Sequence, residues 1–128
     1  MIERYSRPGM KKVWQDENKF AKWLEVEIAA CEAWALLGVI PRSAIPKIKL
    51  ARVNLKRMDE ILKVTHHDVT AFLNTVAESI GEESRYVHMG MTSSDVMDTA
   101  LSLQLVEAAD ILLEDIRLLI TVIADKAI

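Results

Sequence analysis

Cysteine, glycine and proline are all scarce in this sequence. Its 128 residues include one cysteine, Cys31, four glycines and three prolines. A single cysteine excludes an intrachain disulfide framework and fits a reducing compartment. The shortage of glycine and proline excludes a collagen-like repeat and a flexible linker, and an apolar fraction of 51% excludes a disordered chain.

Strong net charge and long apolar runs are lacking as well. The 16 basic and 19 acidic residues give a net charge of −3 without a basic block, so nucleic acid is not an expected partner. The N-terminus, residues 1–7, is too polar for a signal peptide. The longest apolar run, Leu118–Ala124, is far too short to cross a membrane. We therefore expect a soluble, cytoplasmic protein with no membrane partner.

Helix-forming residues dominate the rest of the chain. Residues 10–37, 47–80 and 91–128 contain neither glycine nor proline, and each stretch is too long for a strand. They are rich in Ala, Leu, Glu, Lys and Met, which lose little on entering a helix. No hairpin dipeptide and no sustained apolar–polar alternation occurs. The sequence therefore predicts an all-α fold.

Apolar spacing and capping residues locate the individual helices. The first long helix is predicted from a stripe with steps of three and four residues: Phe20, Trp23, Leu24, Ile28, Cys31, Trp34 and Ala35. Asp16 is its expected N-cap. A short helix is expected around 42–51, and Asn54 is predicted to cap the next one. Another helix should follow the polar run 65–68, with Asp68 or Thr65 as its cap.

The last segment contains the longest predicted helix. Thr92 and Asp95 fit a capping box, and the stretch from Val96 to about Lys126 corresponds to a rod of about 45 Å. Apolar residues surround most of this helix, as in the interior of a larger bundle or an oligomer. We therefore predict a small N-terminal helical domain, residues 1–91. Residues 92–128 should form the first long helix of a truncated helical bundle.

All three histidines lie in the polar joints between these helices. His66 and His67 precede one predicted helix N-terminus, and His88 precedes another. Free amides and partial positive charge at such a terminus suit a carboxylate or a phosphate, and Thr92 and Ser93 add two hydroxyls. The plainer interpretation is an ordinary capped helix start beside a surface histidine.

Two further clusters also allow a functional and a structural interpretation. His67 beside Asp68 suits a histidine oriented by a carboxylate, or simply a polar turn. No metal is expected there, because adjacent residues on a helix do not face each other. Arg4 and Tyr5 combine a bidentate cation with an aromatic hydroxyl, which suits an anion, although a frayed terminus accounts for them as well.

Six segments carry a resemblance to a known family: Met1–Pro8, Trp23–Glu27, Ala30–Trp34, His67–Val69, Gly81–Glu83 and His88–Asp95. Together they resemble the N-terminal region of bacterial adenylosuccinate lyases, which belong to the fumarase/aspartase superfamily. The resemblance implies an all-α homotetramer that works without metal or organic cofactor. It also implies release of fumarate from succinyl-adenylate and from the succinyl-carboxamide ribotide of purine biosynthesis.

The resemblance also implies roles at the two ends of the substrate. Arg4 and Tyr5 would contact the nucleotide part, and Thr92 and Ser93 would contact the succinyl part. In this family the active site takes residues from three subunits. A succinyl nucleotide and further copies of the same chain are therefore the expected partners.

The histidine-containing joints would support catalysis in such an enzyme. His67 and Asp68 would orient the substrate, with His67 in a supporting catalytic role, and His88 would stand nearby in the cleft. His66 would contact substrate at a position where the family usually has arginine, which makes that contact weaker or pH-dependent. The family's principal acid and base lie downstream of residue 128, so we expect the chain alone to be inactive.

Two other interpretations stay open on the sequence alone. One is another lyase or a cycloisomerase of the same superfamily that acts on a different dicarboxylate. The other is a non-catalytic helical interaction module whose apolar last helix is a dimerisation surface. In that case Thr92 and Ser93 have no part in catalysis.

Overall fold

Six α-helices, without any strand, form the part of the chain that the structure describes. The computed structural model describes residues 2–127, apart from the side chain of Glu3. Met1 begins the first predicted domain and Ile128 ends the second, and both residues lie outside the described part. The helices are α1 (Pro8–Val13), α2 (Asp16–Leu36), α3 (Ile45–Ile48), α4 (Leu55–Thr65), α5 (Asp68–Ile80) and α6 (Ser93–Lys126). Short 3-10 turns span Glu3–Tyr5, Arg42–Ala44 and Gly81–Tyr86. The predicted all-α class is confirmed.

Two of the predicted helix caps are confirmed. Asn54 caps α4, and its Oδ1 accepts a hydrogen bond from the Arg57 N–H at 3.1 Å. Thr92 and Asp95 form the predicted capping box of α6, in which Asp95 Oδ2 accepts from the Thr92 N–H at 2.8 Å. Both caps involve residues three positions apart, so the local sequence is sufficient to identify them.

The predicted caps of α2 and α5 are wrong. Extended Gln15 occupies the cap position of α2, so Asp16 is the first helical residue, where its carboxylate still faces the positive end of the helix dipole. His67, rather than Asp68 or Thr65, caps α5. A histidine can take this role because an unprotonated ring nitrogen accepts a backbone N–H as a carboxylate does.

An aromatic cluster joins α2 to α5 at the centre of the fold. Trp23 and Phe72 are only 1% and 0% exposed, and they meet edge to face with ring centroids 5.4 Å apart. Phe20 packs edge to face against Trp23 at 5.0 Å. Helices α4 and α6 supply further buried side chains around this cluster. The core therefore fixes where α5 and α6 begin relative to α2.

Helix α6 is buried only along its first half. Its buried residues recur every four positions: Val96, Ala100, Gln104 and Ala108. Gln104 Nε2 donates to the Val13 carbonyl at 2.7 Å, which ties α6 to α1. From Leu112 to Ile123 the large apolar side chains are 49–62% exposed. Contiguous exposed apolar surface of this kind usually marks an association site.

The predicted long, unbroken last helix is confirmed by the bounds of α6. A domain boundary at residue 91, and the bundle around α6, stay predictions. Within residues 2–127 no helix combines the length and the apolar character needed to cross a membrane.

Candidate active site

The joint between α4 and α5 places His66, His67 and Asp68 together at the surface. His66 ends α4 in the left-handed conformation, with φ of 51°. His67 Nδ1 accepts from the Thr70 N–H at 3.3 Å and lies 3.8 Å from Asp68 Oδ1. Because Nδ1 acts as an acceptor, the proton of the neutral His67 ring is carried by Nε2, which can donate to a ligand.

The joint before α6 is held in place by helix α2. Glu27 Oε1 lies 2.6 Å from His88 Nδ1, and Glu27 Oε2 accepts from the His88 N–H at 2.8 Å. Trp34 Nε1 donates to the Met89 carbonyl at 3.0 Å. Gly90 has a positive φ of 73°, and a Cβ added there would lie 3.2 Å from the Trp34 ring. Hydrogen bonds therefore hold the loop at His88 and Met89, and Gly90 packs closely against Trp34.

The N-terminus of α6 offers unused donors next to this loop. The capping box uses the N–H groups of Thr92 and Asp95. The amides of Ser93 and Ser94 donate to no atom of the described residues, and the first turn of a helix has no intrahelical partner for them. These amides, the hydroxyls of Thr92 and Ser93, and the positive end of a 34-residue helix dipole suit a carboxylate.

Two adjoining grooves lie beside the start of α5 and along the first half of α6. Asp68 lines an open groove of about 700 Å³, together with Trp14 and Lys19 of the α1–α2 region. Trp14 and Lys19 also line the adjoining groove, where Met97 of α6 lies. Met97 follows Ser93 by one helical turn and so lies on the same face of α6. Asp68 and the face of α6 that carries Met97 therefore border adjoining grooves within one chain.

Arg4 and Tyr5 lie apart from the start of α6 within one chain. The Arg4 guanidinium stacks 4.8 Å from the centre of the Tyr5 ring, and Tyr5 is 74% exposed. Tyr5 lines a groove with Ile111 and Leu112 of α6. Leu112 follows Ser93 by 19 residues, which is about 28 Å along a helix. The structure therefore does not bring Arg4 and Tyr5 to the same place as Ser93.

Glu27 is the residue of this region that the sequence analysis missed. The buried positions of α2 are Phe20, Trp23, Glu27, Cys31 and Ala35. Glu27 thus lies on the apolar stripe, at a position where an apolar residue is the norm. A charged residue within an apolar stripe could have identified Glu27 from the sequence, because buried carboxylates almost always have a specific partner.

Cys31 is a packing residue rather than a reactive one. Burial, with a smaller contribution from the neighbouring Glu27 carboxylate, raises the pKa of its thiol to about 11. Its Sγ contacts the Tyr86 carbonyl at 3.5 Å. Among residues 2–127, no three His, Cys, Asp or Glu side chains are grouped so that they would hold a metal ion.

The described chain is all-α, with two polar joints at helix N-termini and a last helix whose second half exposes apolar side chains. Comparison with known proteins identifies the class. The family model described as "Lyase" matches residues 3–128, so the chain belongs to the lyase family.

Two individual relatives show which lyases the chain resembles. The chain is 55% identical over 128 residues to adenylosuccinate lyase of Bacillus subtilis (strain 168), a match that covers 99% of this chain and 30% of that protein. It is also 55% identical over 120 residues to adenylosuccinate lyase of Aquifex aeolicus (strain VF5), covering 91% of this chain and 28% of the relative. The chain thus spans less than a third of the length of these relatives. The resemblance to the N-terminal region of adenylosuccinate lyases is confirmed.

Solved structures show the same fold. The 3-carboxy-cis,cis-muconate lactonizing enzyme from Pseudomonas putida matches with a TM-score of 0.74 at 29% identity, over 84% of this chain and 26% of that one. Fumarate lyase from Mesorhizobium sp. BNC1 matches with a TM-score of 0.67 at 25% identity, over 75% of this chain and 24% of the other.

Proposed function

We propose that this chain forms the N-terminal part of an adenylosuccinate lyase. In the proposed β-elimination, a base removes a proton from the succinyl carbon next to a carboxylate, the C–N bond breaks, and an acid protonates the nitrogen. Succinyl-adenylate then yields fumarate and AMP, and the succinyl-carboxamide ribotide reacts in the same way. The observation that carries the proposal is the 55% identity to the Bacillus subtilis enzyme across 99% of the chain.

The start of α6 suits the charge that this reaction develops. Loss of the proton gives a doubly charged, enolate-like carboxylate, and donors fixed in advance around it lower the barrier. We assign this role to the Thr92 and Ser93 hydroxyls and the neighbouring free amides. Because the capping box and the loop contacts hold them in place, little reorganisation accompanies the charge development.

The start of α5 supplies the second part of the proposed site. His67, through Nε2, and Asp68 orient the substrate, with His67 supporting catalysis, and His66 contacts the substrate beside them. His88, in the joint before α6, stands nearby in the cleft and supports catalysis. The principal acid and base belong to parts of the protein outside these 128 residues. No metal or cofactor takes part in the proposed reaction.

Arg4 and Tyr5 contact the nucleotide part in a site that we propose is shared between chains. Tyr5 lines a groove with Leu112, which lies about 28 Å along α6 from Ser93, and this separation supports a shared site. The exposed apolar face at Leu112–Ile123 supports self-association into a homotetramer. Arg4→Ala and Ser93→Ala variants should each lose most activity when pure. Mixed oligomers of the two should regain part of it, since some sites then receive both intact residues. Mixtures no more active than their parents would argue against a shared site.

The direct test offers succinyl-adenylate to the full-length gene product in the cytoplasmic fraction, where we expect it, and follows fumarate release. We expect turnover by the full-length product and none by the 128 residues alone. Turnover by the 128 residues alone would show that the acid and base lie within them.

A second candidate is another dicarboxylate lyase or cycloisomerase of the superfamily. The TM-score of 0.74 to the Pseudomonas putida lactonizing enzyme supports it. The same assay separates the two candidates: a product inactive on succinyl-adenylate but active on a carboxymuconate belongs to the second class.

A further inference from the structure

Glu27 is a buried carboxylate at a position that packing alone would fill with an apolar side chain. It is 1% exposed and lies between Trp23 and Cys31 on the buried stripe of α2. A carboxylate pays a large desolvation cost in such a place, and an apolar residue of similar volume avoids that cost. Core stability is therefore a poor explanation for this residue.

Both carboxylate oxygens of Glu27 are used by a single residue. Oε2 accepts from the His88 backbone N–H at 2.8 Å, and Oε1 lies 2.6 Å from Nδ1 of the same ring. The His88 backbone has a φ of 65°, which is uncommon for a residue with a side chain. Glu27 thus holds His88 by backbone and ring at once in a conformation that the residue rarely adopts.

The contacts define which ring nitrogen carries the proton. A carboxylate only accepts, so His88 Nδ1 is the donor and Nε2 is the acceptor when the ring is neutral. Nε2 forms no hydrogen bond with the residues that the structure describes. The His88 side chain is 21% exposed, and it precedes Thr92 by four residues. The free acceptor therefore belongs to the loop that leads into the proposed succinyl site at the start of α6.

We propose that Glu27 is a positioning residue that fixes His88 as the Nδ1–H tautomer, so that Nε2 accepts a hydrogen bond from an N–H or O–H group of the substrate. The proposal deepens the lyase function and rests on it for its kinetic part. Its structural part, the identity of the protonated nitrogen, is independent of any activity.

The substitution Glu27→Gln is a sharp test because the two contacts demand different atoms. The glutamine oxygen must stay on the His88 N–H, since only an acceptor satisfies it. The amide NH2 then faces Nδ1, which must become the acceptor, and the ring proton moves to Nε2. Glu27→Gln should therefore reverse the tautomer of His88 with almost no change of shape, whereas Glu27→Asp keeps an acceptor and should retain the original tautomer.

The experiment uses the full-length gene product with 15N-labelled histidine, where the ring nitrogen shifts identify the tautomer and a His88→Gln variant assigns the signals. Kinetics with succinyl-adenylate are measured on the same samples. Glu32→Gln is the matched control, because Glu32 lies on the same helix but pairs with Lys49 at the surface. We expect Glu27→Gln to lower kcat roughly 10–100-fold, because the Nε2–H of the reversed tautomer cannot accept the substrate hydrogen bond and leaves the substrate donor unpaired.

The outcomes are distinct. The proposal is supported if the wild-type His88 ring carries its proton on Nδ1 and if Glu27→Gln shows both a reversed tautomer and a low kcat. Glu27→Asp should then partly restore kcat, and the Glu32→Gln control should behave as the wild type. If His88 already carries the proton on Nε2 in the wild type, the proposal is overturned, and this result depends on no Glu27 variant. A reversed tautomer with unchanged kcat overturns it as well. A product that is inactive on succinyl-adenylate contradicts the proposed function instead, while the tautomer still decides whether Glu27 positions His88.

Discussion

Gly90 offers a quantitative test of how α2 positions the loop before α6. An alanine at its φ of 73° costs about 1–2 kcal/mol in a left-handed conformation. The new Cβ would also lie 3.2 Å from the Trp34 ring, so Trp34 must shift and weaken its bond to the Met89 carbonyl. Loss of that bond adds about 0.5–1.5 kcal/mol. We expect Gly90→Ala to lower the free energy of unfolding by roughly 1.5–3.5 kcal/mol.

Gly38→Ala is the matched control for this substitution. Gly38 has nearly the same φ, 76°, but an added Cβ meets nothing within 4 Å. The control should therefore show the conformational cost alone and leave kcat unchanged. Urea unfolding and succinyl-adenylate kinetics of the full-length gene product measure both effects. If the two variants lose equal stability and retain equal kcat, the contact with Trp34 does not position the loop and the reasoning is refuted.

Three further predictions concern the scaffold. Hydrogen bonds from Lys22 and then Asn18 lower the pKa of Glu107, so these bonds stabilise the fold above the usual carboxyl pKa and are lost as pH falls through the lowered value. Glu107→Gln should therefore reduce the drop of the urea midpoint with falling pH. An unchanged pH dependence of the urea midpoint would contradict this prediction. Because the pKa of Cys31 is about 11, its thiol should react with iodoacetamide at neutral pH far more slowly in the native than in the urea-unfolded protein; equal rates would show that it is accessible. Asn54→Ala should cost about 1 kcal/mol in urea unfolding by removing a cap, with kcat unchanged, and a lower kcat would reveal coupling to the site.

Local rules account for the parts of the fold that the sequence predicts well. Asn54 and the Thr92–Asp95 capping box are recognisable because donor and acceptor lie within one helical turn. The unbroken length of α6 follows from the absence of glycine and proline. The all-α class follows from the same composition, and none of these features depends on a distant partner.

Long-range pairing accounts for what the sequence does not reveal. Glu27 contacts His88 across 61 positions, and no local pattern identifies that partner. His67 replaces Asp68 as the cap of α5 because its ring nitrogen reaches the Thr70 amide, a choice that propensities do not resolve. The separation of Arg4 from the start of α6 depends on where α1 docks along a long helix.

The central claim, that the start of α6 binds a substrate carboxylate for fumarate elimination, is tested most directly by the kcat of Ser93→Ala against Ser102→Ala in the full-length gene product. Ser102 lies on the same helix, and its hydroxyl already donates to the Asp98 carbonyl at 2.9 Å. We predict a loss of about 10–1,000-fold for Ser93→Ala, the scale expected for a donor to developing negative charge, and none for Ser102→Ala. Equal activity of the two variants and the wild type would contradict the claim.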